Sequence, residues 1–289
     1  MNKYIITTDS ASDLPKEYIQ KENLYVQPLF YNIGNQIYGG ANNLDYKVFY
    51  NRMRQGEMPV TNAIIPEEMR NDLRPFLEQG YDILHLAFSS GLSSSCQNAV
   101  LAANELREEF PDRKIVVIDT YAASLGEGLL VHKAIQLKKQ GKSLEEVAKW
   151  VEDNRDHLCH LFTVDDLFHL QRGGRVSKTV AVIGTMINIK PVLHVDNAGE
   201  LKMLKTVRGR KKSLLYLVDR MEELCKGYEN ENDVVFISHG DCMEDAQFVA
   251  DRIKERLGIQ NFIIDYVSPT IGAHSGPGTI ALFFMGKEK

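Results

Sequence analysis

Hydrophobic and polar positions alternate along the first half of the chain in blocks typical of short strands and amphipathic helices. The β-rich apolar runs KYIITTD (3–9), YDILHLAF (81–88) and KIVVIDT (114–120) are each followed by a polar turn and a run with helical spacing. Strands separated by helices pair in parallel, with helices on both faces of the sheet. The pattern therefore predicts a parallel-sheet α/β domain over residues 1–156.

Helix signals fill the segments between these strands. DYKVFYNRMRQG (45–56) and PEEMRNDLRPFLEQG (66–80) have helical spacing, and each ends at a glycine suited to the position after a helix. Near the N-terminus, Ser12 or Asp13 is expected to cap a helix that carries Pro15 in its first turn.

The pattern changes after His157. The remaining residues contain about six strand-like runs, and a turn at 197–199 is predicted to join two of them into a hairpin. DDLFHLQRGGRVSKTVAVIGTMI (165–187) is expected to supply short helices. A hairpin among six strands indicates a mixed sheet, so we predict a second α/β domain over residues 157–289.

Composition restricts the classes of function. The chain has 289 residues with 44% hydrophobic and 25% charged residues and a net charge of −5, which argues against a protein that mainly binds nucleic acid. No segment approaches the ~18 apolar residues of a membrane span, and the N-terminus lacks the apolar stretch of a signal peptide. We therefore expect a soluble cytoplasmic protein.

The cysteines and histidines do not predict a metal centre. No two cysteines have CxxC spacing, and the cluster HLCH (157–160) would direct its two histidines to opposite faces of a strand. We expect no bound metal and four reduced thiols, at Cys96, Cys159, Cys225 and Cys242.

The segment AFSSGLSSSCQNA (87–99) forms a serine-rich turn between a strand and a helix. A hydrolase elbow, G-x-S-x-G, would make Ser93 a nucleophile, but the second glycine is missing after Ser94 and Ser95. Alternatively, the hydroxyl groups and the free N–H groups at the helix start could hold a carboxylate or a phosphate. A third interpretation is a simple helix cap, and the pattern leaves all three open.

A glycine-rich loop and two basic segments are further candidates. SPTIGAHSGPGTIAL (268–282) surrounds His274 with three glycines, as expected of a rigid site or of a structural hydrogen bond. LQRGGRVSK (170–178) contains Arg172 and Arg175, and KMLKTVRGRKKS (202–213) contains six basic residues. These segments form either a solvated positive face or a docking surface for an acidic partner or an anionic ligand, and neither has the spacing of a phosphate loop.

Six stretches in this order together resemble one family, the DegV proteins. These are bacterial fatty-acid-binding proteins, some of which are the lipid-carrying subunit of fatty acid kinase. The resemblance implies a three-layer α/β/α domain with a parallel sheet, joined to a two-layer α/β domain with a mixed six-stranded sheet. The stretches are TTDSASDLP (7–15), SSGLSSSCQNA (89–99), VIDTYAASLGEGLLV (117–131), LQRGGRVS (170–177), IGTMINIKPVL (183–193) and IGAHSGPG (271–278).

The resemblance also implies a ligand and its binding residues. A long-chain fatty acid would lie between the two domains, with its carboxylate held by Thr61 and Ser93 and with His274 nearby. We add Ser94, in the same turn, as a further lipid contact. The sequence departs from the family pattern at Asn62 and at Ser94, where the family has Ser and Gly, so we expect an altered headgroup site.

By the same resemblance, the chain would perform no chemistry of its own and would need no cofactor. It would present the carboxylate to the catalytic subunit of a fatty acid kinase. We expect Arg172, Arg175 and parts of residues 202–212 to form the docking face for that subunit. We also expect transient contact with membrane lipid. Two alternatives remain: a serine esterase that uses Ser93 and His274, and a binding protein for a sugar phosphate or dihydroxyacetone, because dihydroxyacetone kinases resemble this fold.

Overall fold

The computed structural model describes residues 3–177 and 188–289. The later part of the predicted helical segment 165–187, and the first five residues of the stretch 183–193, lie outside the described residues. The helices are α1 (Lys16–Glu22), α2 (Tyr46–Arg54), α3 (Pro66–Glu78), α4 (Ser95–Glu109), α5 (Leu125–Lys139), α6 (Leu144–Asn154), α7 (Phe168–Arg172), α8 (Arg210–Leu224), α9 (Met243–Leu257) and α10 (Pro269–Ser275).

Within the described residues, the strands belong to three sheets. They are β1 (Tyr4–Asp9), β2 (Tyr25–Gln27), β3 (Tyr31–Ile33), β4 (Gln36–Tyr38), β5 (Val60–Thr61), β6 (Asp82–Ala87), β7 (Ile115–Asp119), β8 (Leu158–Thr163), β9 (Ile189–Val195), β10 (Leu201–Arg208), β11 (Val235–His239), β12 (Phe262–Tyr266) and β13 (Ile280–Met285).

The first large sheet is parallel, in the order β2-β1-β6-β7. Its strands alternate side chains between two faces. On one face Ile83 packs against α3 and α4, and on the other Leu84 and Leu86 pack against α5 and α6. This arrangement confirms the predicted three-layer domain.

The second large sheet is mixed, in the order β10-β9-β8-β13-β11-β12. Only β11 and β12 pair in parallel, and β9 and β10 form the predicted hairpin. Helices α8 and α9 cover one face. On the other face, side chains such as Phe162 and Phe283 share a hydrophobic cluster with α5, so α5 packs between the two sheets. The predicted mixed six-stranded domain is confirmed.

A third, small sheet has the order β4-β3-β5 and was not expected. Its strands have two or three residues, too few to show a periodicity in the sequence. One of its faces packs Tyr31 and Tyr38 against α2. Thr61 lies on β5, directly opposite Tyr31.

Two local predictions were wrong. Pro15, not Ser12 or Asp13, occupies the N-cap of α1, because residues Ser10–Ser12 form a separate turn of 3₁₀ helix that Asp13 ends with a φ of 53°. The glycine-rich segment around His274 was expected to be a loop and instead forms α10. A proline at its first turn suits a helix start, and Gly276, with φ of 81°, ends it.

The predicted domain boundary near residue 156 lies in a turn of 3₁₀ helix, Arg155–His157, between α6 and β8. Across residues 3–177 and 188–289, no helix is long and apolar enough to cross a membrane.

Candidate functional site

A largely apolar cavity lies between the two large sheets. Its empty volume, including its open mouth, is about 840 Å³. Loops of the first domain cover it on one side, and β8, β9, β10 and β13 of the second sheet form its floor. Its apolar lining includes Phe88, Phe162, Val195, Leu201, Ile271 and Phe283.

Helix α10 runs along one wall of this cavity. Thr270, Ile271, His274 and Ser275 all line it, at spacings that place them on one face of a helix. Gly272 lies against the side chain of Tyr50, where a Cβ would meet the phenol ring. The glycine therefore lets α10 approach the first domain closely.

Thr61 and His274 meet at the polar part of the cavity. The Thr61 hydroxyl and His274 Nε2 are 2.8 Å apart, within hydrogen-bond distance, and both side chains line the cavity. They come from different domains, so this contact depends on the packing of α10 against the small sheet. The structure thus brings together two of the residues that the sequence predicted.

Ser93 lines the same cavity from the serine turn. Its Oγ accepts a hydrogen bond from the backbone N–H of Ser95 at 3.1 Å and lies 2.9 Å from Ser95 Oγ. Ser95 Oγ in turn accepts from the N–H of Ile64, three residues after Thr61. The turn therefore caps α4 and also holds a hydroxyl beside the loop that carries Thr61.

The other predicted lipid contact, Ser94, has a different position. It is exposed at the start of α4 and makes no capping hydrogen bond with its side chain. It does not belong to the lining of the cavity. Asn62, the other departure from the family pattern, lies at the rim, where its side-chain amide donates to Asn32 Oδ1 at 2.8 Å.

Burial sets the charge state of His274. Desolvation, reinforced by the nearby cations of Arg175 and Arg172, lowers its pKa to about 4, so the imidazole is neutral near pH 7. Its Nδ1 is buried without a hydrogen-bond partner among the described residues. A hydrogen on Nε2 can be donated to Thr61 Oγ, whereas one on Nδ1 would be a buried donor without an acceptor. With Nε2 as donor, the Thr61 hydroxyl hydrogen is free to point into the cavity.

The two arginines of the RGGR segment are partly buried and donate hydrogen bonds within the chain. Arg172 donates to the carbonyls of Pro59 and Ala273, and Arg175 donates to the carbonyl of Leu92. Arg175 also lines the cavity. Charge counting along the sequence missed these bonds because their acceptors are backbone groups far away in the chain.

Several polar side chains of the lining were not predicted. Ser124 is held by Asp13, Thr270 lies 3.1 Å from Ser268 at their hydroxyl oxygens, and Ser275 has a buried hydroxyl without a hydrogen-bond partner in the described part of the chain. Ser275 could have been suspected, because it follows His274 in the glycine-rich motif. Ser124 could not, since no pattern of residues indicates that the turn before α5 reaches the cavity.

The geometry does not provide the pair that a serine esterase needs. His274 Nε2 is bonded to Thr61, while Ser93 Oγ is bonded within its own turn. A nucleophile and its base should be within hydrogen-bond reach of each other. Within 3–177 and 188–289, no group of three or more His, Cys, Asp or Glu side chains is arranged to hold a metal ion.

Comparison with known proteins assigns the chain to a family. A profile described as "Uncharacterised protein, DegV family" matches residues 3–287. A DegV domain-containing protein of Clostridium perfringens is 45% identical over 294 residues, covering 100% of this chain and 99% of that protein.

Two solved structures have the same fold over nearly their whole length. A DegV family protein from Thermus thermophilus, described by its fatty acid binding, is 29% identical with a TM-score of 0.86, covering 98% of this chain and 99% of that one. DegV from Bacillus subtilis, described as a fatty acid binding protein, is 27% identical with a TM-score of 0.84, covering 99% and 100%. The chain therefore belongs to the DegV family, as its sequence motifs predicted.

Proposed function

We propose that this protein binds a long-chain fatty acid in the cavity between its two domains, with the carboxylate at Thr61, Ser93 and His274. One observation carries the proposal: a mainly apolar cavity has a cluster of neutral hydrogen-bonding groups in its wall, contributed by both domains. Relatives of the same fold, from Thermus thermophilus and Bacillus subtilis, are described as binding fatty acids.

The hydrophobic effect provides the affinity. Burying the ~16 methylene groups of a long acyl chain at ~0.8 kcal/mol each gives roughly 13 kcal/mol of driving force before ordering costs. A sugar phosphate or dihydroxyacetone would gain little from the apolar lining and would leave most of its own polar groups without partners there. The apolar lining of the cavity thus favours an acyl chain over that alternative.

The headgroup needs hydrogen-bond donors rather than a dedicated ion pair. The hydroxyls of Thr61 and Ser93 can donate to a carboxylate, and the relay from His274 Nε2 leaves the Thr61 hydrogen available for this. Arg175 adds a nearby positive charge, which favours the ionised acid. A buried carboxylate would therefore be satisfied without a metal.

The test is native mass spectrometry of the purified protein, followed by extraction and identification of the released molecule. We expect a long-chain acid in the wild type and its loss in the Thr61→Val/Ser93→Ala double variant, which removes two donors and keeps the apolar lining. Ser94→Ala is the matched control, because Ser94 lies in the same turn but outside the cavity lining, and it should keep the ligand.

A protein that is empty, and that takes up neither palmitate nor oleate when these are added, would refute the proposal. Loss of ligand in Ser94→Ala alone would instead show that the exposed end of the turn takes part in binding.

We further propose that the bound carboxylate is presented to a partner kinase, as the family resemblance implies. The arginines originally assigned to docking are engaged within the chain, so reversing the charge of Arg175 should release the lipid as well as slow phosphorylation. The exposed basic side chains of residues 202–212 are better candidates for contact with an acidic partner.

Incubating loaded protein with ATP and a fatty acid kinase catalytic subunit should give acyl phosphate, and no product would contradict this part of the proposal.

A further inference from the structure

The RGGR segment (172–175) is hydrogen-bonded to the backbone close to each of Thr61, Ser93 and His274, the residues of the proposed headgroup site. It begins at the last residue of α7 in the second domain, and its two guanidinium groups reach backbone carbonyls in three separate segments, one of which is helix α10. Each of these carbonyls lies one or two residues before a residue of the carboxylate site.

Arg172 ties together the segments that carry Thr61 and His274. Its Nη1 and Nη2 donate to the carbonyl of Pro59 at 3.2 and 3.1 Å, two residues before Thr61. Nη2 also donates to the carbonyl of Ala273 at 2.9 Å, one residue before His274. A single planar group therefore fixes the spacing of the two side chains that bond to each other.

Arg175 holds the segment that carries Ser93. Its Nε and Nη2 donate to the carbonyl of Leu92 at 3.1 and 2.9 Å, and Ser93 is the next residue. Its Nη1 donates to the carbonyl of Gly173, which closes the RGGR segment on itself. This fork of parallel donors is a geometry that a lysine ammonium cannot reproduce.

We propose that Arg172 and Arg175 are positioning residues for the carboxylate site, Arg172 for the Thr61–His274 pair and Arg175 for Ser93. The inference deepens the proposed function and rests on it. Neither arginine needs to contact the ligand for this role, since each acts through the backbone segments to which it donates hydrogen bonds. The RGGR segment thus joins the two domains and sets the spacing of the hydroxyl groups between them.

The test is a set of double-mutant cycles on palmitate affinity, with Arg172→Lys and Arg175→Lys each combined with Thr61→Val and with Ser93→Ala. Each lysine variant keeps the positive charge and loses the fork, so we expect affinity about tenfold weaker. Arg172→Lys should weaken palmitate binding little further when Thr61 is already valine. Arg175→Lys should likewise cause little further loss when Ser93 is already alanine. In the other two combinations, Arg172→Lys with Ser93→Ala and Arg175→Lys with Thr61→Val, the fold losses of affinity should multiply. Each arginine acts on a different hydroxyl group, so these effects are independent.

Two controls separate positioning from general damage. Arg113→Lys removes another arginine bond to a carbonyl, that of Gly80, outside the cavity lining, and should bind palmitate as the wild type does. Binding of 1-hexadecanol, which has the same chain and no carboxylate, should change much less than binding of palmitate in both lysine variants. Thermal unfolding shows which variants are folded, and a glutamine variant replaces any lysine variant that is not.

The inference would be overturned if the losses of palmitate affinity multiply in all four double variants. It would also be overturned if the lysine variants bind palmitate as tightly as the wild type. Equal losses for palmitate and 1-hexadecanol would do the same, because they would indicate a collapsed cavity. Failure of the wild type to bind palmitate would be a different result, since it would refute the proposed function itself.

Discussion

Gly173 and Gly174 are adjacent residues that the structure requires for different reasons. Gly173 has an ordinary φ of −72°, but a Cβ at this position would overlap Nδ1 of His274. Gly174 has a φ of 75°, a conformation that glycine adopts without strain, and open space where a Cβ would be. Space for the imidazole explains the first glycine, and backbone conformation explains the second.

This difference predicts opposite outcomes for two alanine variants. Gly173→Ala should displace His274 and weaken fatty acid binding by about tenfold or more, the cost of losing a well-placed hydrogen-bond donor. Gly174→Ala should reduce the free energy of unfolding by about 1 kcal/mol through backbone strain and leave binding unchanged. Titration with a fluorescent fatty acid and urea denaturation measure the two effects. If Gly173→Ala binds fatty acid as tightly as Gly174→Ala does, the position of His274 does not matter for binding.

At this scale the sequence predicted residue identities better than residue partners. Thr61, Ser93 and His274 were predicted through the family resemblance, and the structure places all three in the lining of one cavity. The hydrogen bonds of Arg172 and Arg175 were not predicted, because a sequence shows charges but not the distant carbonyls that accept from them. Whether the three predicted residues bind a carboxylate stays a prediction until a ligand is measured.

At the scale of elements, α5 has an unusual position because it is shared by the two domains. Its buried side chains, among them Leu130, belong to a cluster that includes residues of both large sheets. The opposite face of the second sheet packs separately against α8 and α9, with Leu217 at that interface. The two domains are therefore distinct in topology but share one core layer.

We expect a single unfolding transition for both domains as a result. Leu130→Ala and Leu217→Ala should each cost about 2–5 kcal/mol, as typical buried leucines do. The only tryptophan, Trp150, lies on α6 in the first domain, so its fluorescence reports unfolding there. Leu217→Ala should shift that fluorescence transition as much as it shifts the circular dichroism of the whole chain. A tryptophan transition unmoved by Leu217→Ala would mean that the domains unfold independently.

The elements that the sequence predicted are those with long apolar runs. Strands such as β6 and β13 consist of buried residues throughout, so their apolar composition alone predicts them. The small sheet was missed because its strands are too short for a periodic pattern, and α10 was missed because glycines obscured its helical spacing. Both missed elements line the carboxylate site, so the site was less predictable than the fold.

At the scale of the whole molecule, a buried hydrogen-bond network crosses between the domains. Asp13 accepts from the hydroxyl of Ser124 and, at 3.1 Å, from the backbone N–H of Ser268 in the second domain. Ser124 Oγ also lies 2.7 Å from Ser238 Oγ on β11. Burial, opposed by these hydrogen bonds, raises the pKa of Asp13 to about 7.

This raised pKa predicts a pH dependence of stability. The folded state holds the proton of the Asp13 carboxyl more tightly than the unfolded state does, so the bound proton stabilises the fold. This stabilisation is fully present below about pH 4 and is lost as the pH rises through about 7. Asp13→Asn cannot titrate, so relative to the wild type it should gain on the order of 2 kcal/mol between pH 5 and pH 8. Urea denaturation at the two pH values measures this difference, with the exposed Asp112→Asn as the control. A difference that does not change with pH would contradict the prediction.

The cavity borders the core layer that α5 shares with the second sheet, because Phe162 and Phe283 belong both to that layer and to the cavity lining. Under the proposed function, an acyl chain there completes the interior of the protein, and its release leaves that interior underfilled. Cargo that binds only the native chain stabilises it by an amount that grows with the logarithm of the free cargo concentration. The resistance of this protein to unfolding and degradation in a cell would then follow the supply of its lipid, so its abundance would report that supply.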